Sequence, residues 1–195
     1  NLAAAELYRL TGDTQWNDLF LETTVFSDPG KSVYVWQQHD QANAAYVYGS
    51  TNRPGVDSTI QQNALNAMVR QADYEVNNIQ RTGFKWNADP WAPIGWGSLG
   101  APDTDILLRT HALTGDADYL NASLLASQFS AGANPDNMVY TTGIGHRNPN
   151  IPELADARAL GEVPSGITVY GPLDLQNPNG YGEDWRWSVE LFADA

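Results

Sequence analysis

Apolar residues recur at three- and four-residue intervals over about the first 130 positions, and then the rhythm is lost. In "NLAAAELYRLTGD", Leu2, Ala3, Ala5, Leu7 and Leu10 lie along one side of a helix, the spacing an amphipathic helix requires. Ala, Leu and Glu favour that helix, and Gly12 is its expected C′ residue in a turn at Thr11-Gly12-Asp13. "TQWNDLFLETTVF" starts a second helix with Asp13 or Thr14 as N-cap. Asp28-Pro29-Gly30 is a turn. "SVYVWQQHDQANAAYVYGS" reads as strand or helix. Trp36, Ala44, Val47 and Tyr48 fall at helical spacing, which favours a helix from about Val35 to Tyr48. "TNRPGVD" is a loop. Asp57 or Ser58 then caps a longer helix, "TIQQNALNAMVRQADYEVNNIQ", whose expected apolar stripe is Ile60, Leu65, Met68, Val69, Ala72 and Val76. "RTGFKWNADPWAPIGWGSLGAP" is a loop dense in Trp, Pro and Gly. "DTDILLRTHALTGD" is a helix with Asp103 or Thr104 near its start, and "ADYLNASLLASQFSAG" is the next, ending at Gly132.

Two of these segments repeat. "AELYRLTGDTQWNDLF" and "LLRTHALTGDADYLNA" each hold an apolar helix, then Leu-Thr-Gly-Asp, then an aromatic three residues after the Asp, Trp16 and Tyr119. Each reads as a helix, a tight turn and a second helix. Such αα-hairpins do not bury their apolar faces singly and stack on neighbours. The expected fold is all-α, a toroid of αα-hairpins or part of one. The alternative is a nonrepetitive helical bundle in which Thr-Gly-Asp is a common turn. Residues 133 to 187 are rich in Pro, Gly, Asn and Asp, with a short strand-like piece, "GITVYG", at 166–171. The helices are thus expected to be the scaffold, with long irregular loops at one face carrying function.

Composition narrows the chemistry. The chain has 195 residues and a formal net charge of −13, and two of its ten basic residues are Lys, Lys31 and Lys85. Such a surface repels nucleic acid and anionic lipid, and suits a neutral or cationic ligand. The absence of cysteine excludes disulfides, thiolate metal sites and cysteine catalysis. No apolar run approaches the roughly 18 residues of a membrane span. The N-terminus shows neither the basic region nor the cleavage site of a signal peptide. Its helical pattern starts at once and the last residues, "SVELFADA", stop without a clear terminator. A fragment of a longer protein is therefore expected.

No HExxH, P-loop, GxSxG or dinucleotide fingerprint is present. His39, His111 and His146 lack metal-like spacing, and no metal or cofactor is expected. His111 and His39 read as surface or packing residues. His146 stands beside Arg147 in the glycine-rich stretch "AGANPDNMVYTTGIGHRNPN", which makes the pair candidates for ligand binding. Trp86, Trp91 and Trp96 recur every five residues among Pro90, Pro93, Gly95 and Gly97. Indole faces in a stiff loop suit the C–H faces of a pyranose, although the same rings also fill gaps between helices. Asp156, Asp174, Glu183, Asp184 and Glu190 supply carboxylates, of which glycoside hydrolysis needs two.

Four segments, "AAAELYRLTGD", "WGSLGAPDTDILLRTHALTGDADYL", "AGANPDNMVYTTGIGHRNP" and "ITVYGP", resemble the C-terminal half of the catalytic domain of glycoside hydrolase family nine. The third is the most specific. The family's Gly-x-Asn-Pro element matches Gly132-Ala133-Asn134-Pro135. Its Thr-Gly-x-Gly turn, basic or polar residue, Arg and Pro match Thr142-Gly143-Ile144-Gly145-His146-Arg147-Asn148-Pro149. The likeness covers nearly the whole chain. It implies the latter half of an (α/α)6 barrel and hydrolysis of a β-1,4-linked glycan, cellulose-type glucan or a relative, with inversion and outside the cytoplasm, extracellular or periplasmic. The candidate substrate contacts are His146, Arg147, Trp96, Trp91, Arg158 and Tyr170. There are two departures. Where cellulases of the family carry His-His-Arg, this chain has "PELADARALGEVPSGITVYGP". Arg158 there has no accompanying histidine, which is closer to the exo-acting and glucosaminidase-like branch. The family's Asp-Ala-Gly-Asp, which supplies the base, is missing, and Glu190 lacks the Asn that usually precedes the acid. Glu190 is thus a weak candidate acid, and the chain is expected to be incomplete alone, with the N-terminal half of the domain as its partner. A noncatalytic helical carbohydrate-binding module is the alternative.

Overall fold

The computed structural model of the chain describes residues 1–34, 41–85, 104–134, 137, 139, 141–147, 152–154, 165–166 and 187–189. The architecture is all-α, as the periodicity predicts. The helices are α1 (Leu2–Thr11), α2 (Thr14–Thr23), α3 (Gln41–Gly49), α4 (Ser58–Arg81), α5 (Asp105–Thr114) and α6 (Ala117–Ser130). No helix among the described residues is long and apolar enough to cross a membrane. The chain divides into two compact units, one of Asn1–Val76 with Asp105–Asn121 and one of Asn77–Thr104 with Ala122–Ala195.

The repeated Leu-Thr-Gly-Asp folds the same way twice in the first unit. Gly12 donates its N–H to Tyr8 O at 2.8 Å, and Gly115 donates to His111 O at 2.7 Å. Both glycines have φ of 75°, the left-handed C-terminal conformation in which a Cβ is costly. The preceding threonines turn their hydroxyls back on the helix, Thr11 to Leu7 O at 2.7 Å and Thr114 to Thr110 O at 2.8 Å. The same hydroxyls accept from the N–H of Asp13 and Asp116. Each aspartate then caps the next helix, accepting from Gln15 N at 3.1 Å and from Asp118 N at 2.9 Å.

α1 packs on α2 and α3, and α3 on α5. Tyr8, Phe20, Phe26, Tyr48, Met68 and Leu107 are fully buried here. The Tyr48 ring stacks on Phe20 with centroids 4.2 Å apart. Its hydroxyl donates to Asn17 Oδ1 and accepts from Asp57 N–H, both at 2.9 Å. Burial raises its pKa above the usual tyrosine value. Arg109 ties α5 to α3. It hydrogen-bonds Asn43, pairs with Asp105 at 3.0 Å and lies 5.7 Å over the Tyr46 ring.

Loops in this unit are held by long polar side chains that satisfy orphan helix carbonyls. Arg53 donates to Arg9 O and Leu10 O at the end of α1. Gln61 Nε2 donates to Tyr48 O, Gly49 O and Thr51 O at the end of α3. Asp57, of the two expected caps, accepts from Thr59 and Ile60 N–H and starts α4.

Several expectations are corrected. The second helix stops at Thr23, because Thr24 turns extended and accepts from Phe26 N–H. The expected continuation is a single 3-10 turn, Val25–Ser27. α3 begins at Gln41, and residues 35–40 of the expected helix lie outside the described residues. The buried face of α4 is Ala64, Ala67, Met68, Ala72, Glu75, Asn78 and Ile79, whereas Leu65, Val69 and Val76 of the expected stripe are half-buried. α5 starts at Asp105, directly after Thr104, one of the two residues expected near its start. The last long helix ends at Ser130, two residues before Gly132. Two three-residue strands that the pattern does not show, β1 (Pro152–Leu154) and β2 (Trp187–Val189), pair in parallel with Glu153 opposite Ser188. Of the strand-like "GITVYG", only Gly166 is described, and it sits in a turn.

Candidate functional site

The glycine-rich stretch begins as a helix terminus in the second unit. Gly132 takes φ of 118°, and Ala133 N–H reaches back to Gln128 O at 2.9 Å. The buried Asn134 then donates from Nδ2 to Phe129 O at 2.6 Å. This side chain closes α6 and fixes the direction in which the chain leaves it. Asn134 O accepts from Asn137 N–H at 3.0 Å, and Asn137 adopts φ of 49°, which asparagine tolerates well.

The chain turns back at Thr141–Arg147. Val139 N–H donates to Arg147 O at 2.9 Å, and Ile144 N–H to Thr141 O at 3.4 Å. Thr142 is buried and its carbonyl accepts from Gly166 N–H at 2.8 Å. Two glycines are required by space as well as by φ. A Cβ on Gly143 (φ +73°) would meet Ser165 Oγ at 2.3 Å, and one on Gly145 (φ +78°) would meet Val139 Cγ2 at 2.8 Å. The Thr-Gly-x-Gly sequence is therefore a turn approached closely by the Ser165 and Val139 side chains.

What this turn offers outward is Ile144, His146 and Arg147, all exposed. The imidazole of His146 carries one donor and one acceptor when neutral, and the guanidinium carries five donors in a planar fork. Among the described residues Arg147 forms no ion pair. The pair can therefore hydrogen-bond hydroxyl groups of a ligand from a backbone that is already fixed, which lowers the entropy lost on binding.

His146 and Arg147, neighbours in the chain, both lie exposed on this turn. Trp86, Trp91, Trp96, Arg158, Tyr170, Glu190 and His39 lie outside the described residues. His111 has the packing role expected of it. Its Nδ1 lies 2.7 Å from Asp116 O and joins the two helices of the second hairpin. No group of three or more potential metal ligands occurs among the described residues. Sequence reasoning missed Ser165, because nothing in its neighbourhood marks a contact with Gly143. It also gave Asn134 only as part of a motif, although an asparagine shortly after Gly132 is a signal for a capped helix end.

No family model matches the chain. It is 27% identical over 152 residues to Endoglucanase D of Acetivibrio thermocellus, covering 77% of this chain and 24% of that protein. In fold it is similar to a metagenome-derived glycoside hydrolase family 9 endoglucanase, with a TM-score of 0.70 and 23% identity, over 88% of this chain and 31% of that one. It is also similar to AaCel9A, solved in complex with a cellobiose-like isofagomine, with a TM-score of 0.68 and 19% identity, over 88% of this chain and 33% of that one. The chain spans about a quarter of the length of the curated relative and a third of the solved structures. In sequence the chain thus resembles Endoglucanase D, and in fold it matches glycoside hydrolase family 9 structures of the (α/α)6 barrel.

Proposed function

We propose that this chain forms the C-terminal portion of a family-nine type catalytic domain and supplies sugar-binding loops for hydrolysis of a β-1,4-linked glycan with inversion. The observation that carries this reading is the turn Thr141–Arg147, packed against Ser165 and Val139, with His146 and Arg147 facing outward. Arg147 donates to saccharide hydroxyls and His146 donates or accepts beside it. Trp91 and Trp96 give stacking faces to pyranose rings, and Arg158 and Tyr170 add polar contacts. The sugar itself need carry no negative charge, which accords with the net charge of −13.

An inverting reaction needs an acid and a base roughly 6.5–9.5 Å apart with water between them. Here the partner that completes the pair is the remaining part of the same domain, and the enzyme works outside the cytoplasm. The segment "PELADARALGEVPSGITVYGP", where cellulases of the family carry His-His-Arg, supports a reading nearer to exo-acting, glucosaminidase-like enzymes.

Calorimetry with cellotetraose and with chitotetraose tests the binding reading, and binding of at least one is expected. Hydrolysis of either by the purified 195-residue chain would refute the proposed division of labour. Absence of binding to both would remove the saccharide reading. Substrate branch is read from the ratio of the two affinities, with tighter binding of the glucosamine oligomer expected.

A further inference from the structure

The turn that presents His146 and Arg147 rests on a second turn that no motif marks. Gly143 Cα faces the Ser165 side chain so closely that an added Cβ would lie 2.3 Å from Oγ, 2.6 Å from Cβ and 3.3 Å from Cα. Alongside this contact Gly166 donates its N–H to Thr142 O at 2.8 Å. Gly166 has φ of 94° and open space around its α-carbon, so its conformation serves the chain reversal and not a contact of its own. On the other flank Gly145 meets Val139, and Val139 N–H binds Arg147 O. The segment from Thr142 to Arg147 is therefore gripped at both ends.

We propose that Ser165 is a positioning residue for the saccharide site, acting through Gly143 to set where His146 and Arg147 stand. This rests on the reading that those two residues bind sugar. Gly143 has no side chain that can yield, so a group added at residue 165 on the side of Gly143 meets backbone. Both residues are exposed, so displacement is transmitted by this close contact alone. Hydrogen bonds to hydroxyls tolerate little of it, since they hold over roughly 2.5–3.0 Å for O–H donors and 2.7–3.2 Å for N–H donors. Alanine keeps the Cβ contact and removes only the hydroxyl.

The test uses the full chain with Ser165→Ala, Ser165→Thr and Ser165→Val, reading backbone amide resonances and cellotetraose or chitotetraose affinity. Ser165→Val is expected to shift the amide resonances of Gly143 to Arg147 and to weaken binding by about tenfold or more, a change of about 1.4 kcal/mol. Ser165→Thr should move the same resonances in the same direction by less. Ser165→Ala should restore wild-type affinity within about twofold, which a loss of general stability would not predict. Unmoved resonances in the valine and threonine variants overturn the proposal, and so does wild-type affinity in both. If the resonances move while the wild-type chain binds neither sugar, Ser165 keeps its hold on the turn and it is the saccharide reading that fails.

Discussion

Tyr119 donates its hydroxyl proton to Asp73 at 2.9 Å, linking the start of α6 to the middle of α4. The tyrosine is the aromatic of the second Leu-Thr-Gly-Asp repeat, and it is buried while the aspartate is exposed. Burial is the main cause that pushes its pKa up to about 12, followed by the bond to Asp73 and the charges of Asp73, Asp116 and Asp118. The folded pKa thus exceeds the unfolded value of 10.0, so the neutral ring stabilises the fold fully below pH 10, and that contribution is lost as pH rises towards 12. Tyr119→Phe should cost about 1 kcal/mol at pH 8, the ordinary worth of one hydrogen bond. Urea titrations at pH 8 and pH 11 check this. The wild type should lose more stability than the variant over that interval, and equal losses would contradict the assignment.

Gly12 and Gly115 allow a cleaner measurement of backbone cost. An added Cβ at Gly115 meets nothing within 4 Å, and at Gly12 it reaches Arg53 only at ordinary contact distances of 3.7 Å and more. Gly115→Ala and Gly12→Ala should therefore each cost roughly 1–2 kcal/mol from the left-handed conformation alone. Asn at either position should recover part of this, since it enters that region more readily than Ala. A cost near zero at Gly115 would mean that its φ of 75° relaxes freely.

How legible the fold was depended on the range of the interactions. The Leu-Thr-Gly-Asp hairpins could be read because all their bonds are local: Thr11 to Leu7, Asp13 to Gln15, Thr114 to Thr110 and Asp116 to Asp118. The buried face of α4 was misjudged because Leu65 and Val69 weigh more in a hydrophobic pattern than Ala64 and Ala67. Burial reverses that order, and Glu75 and Asn78 are buried as well. The end of α2 was set too late because Thr24 opposes its apolar neighbours with a side-chain bond to Phe26 N–H. In the candidate site, the glycines and the His-Arg pair were visible as residue types. Their reason for being glycine, Ser165 against Gly143 and Val139 against Gly145, is tertiary and leaves no period in the chain.

Asn134 connects scaffold to site. Its buried amide bonds Phe129 O at 2.6 Å, so Asn134→Ala leaves a helix-terminal carbonyl without that donor. The expected destabilisation is roughly 1–3 kcal/mol, the range for a buried group deprived of its partner. The amides of Ala133 and Asn137 should exchange faster with solvent, because their own bonds to Gln128 O and Asn134 O depend on the same terminus. Hydrogen exchange by mass spectrometry reads both effects. Unchanged protection there would show that the terminus holds without its asparagine.

Arg147 gives the sharpest test of the saccharide reading, because its side chain and its backbone have separate roles. The backbone carbonyl accepts from Val139 N–H at 2.9 Å, which any residue can do, while the side chain is exposed. Arg147→Ala should therefore change stability by no more than about 0.5 kcal/mol, as surface substitutions usually do. Hydrogen bonds from a charged donor are worth roughly 1.5–3 kcal/mol. Affinity for the bound tetrasaccharide should accordingly fall by about tenfold or more. Arg147→Lys keeps the charge and loses the planar fork, so it should recover only part of the loss. With a neutral sugar, raising salt should leave wild-type affinity nearly unchanged, since no ion pair forms on binding. Calorimetry on the three proteins at low and high salt separates these outcomes. Alanine binding as well as arginine would remove residue 147 from the site.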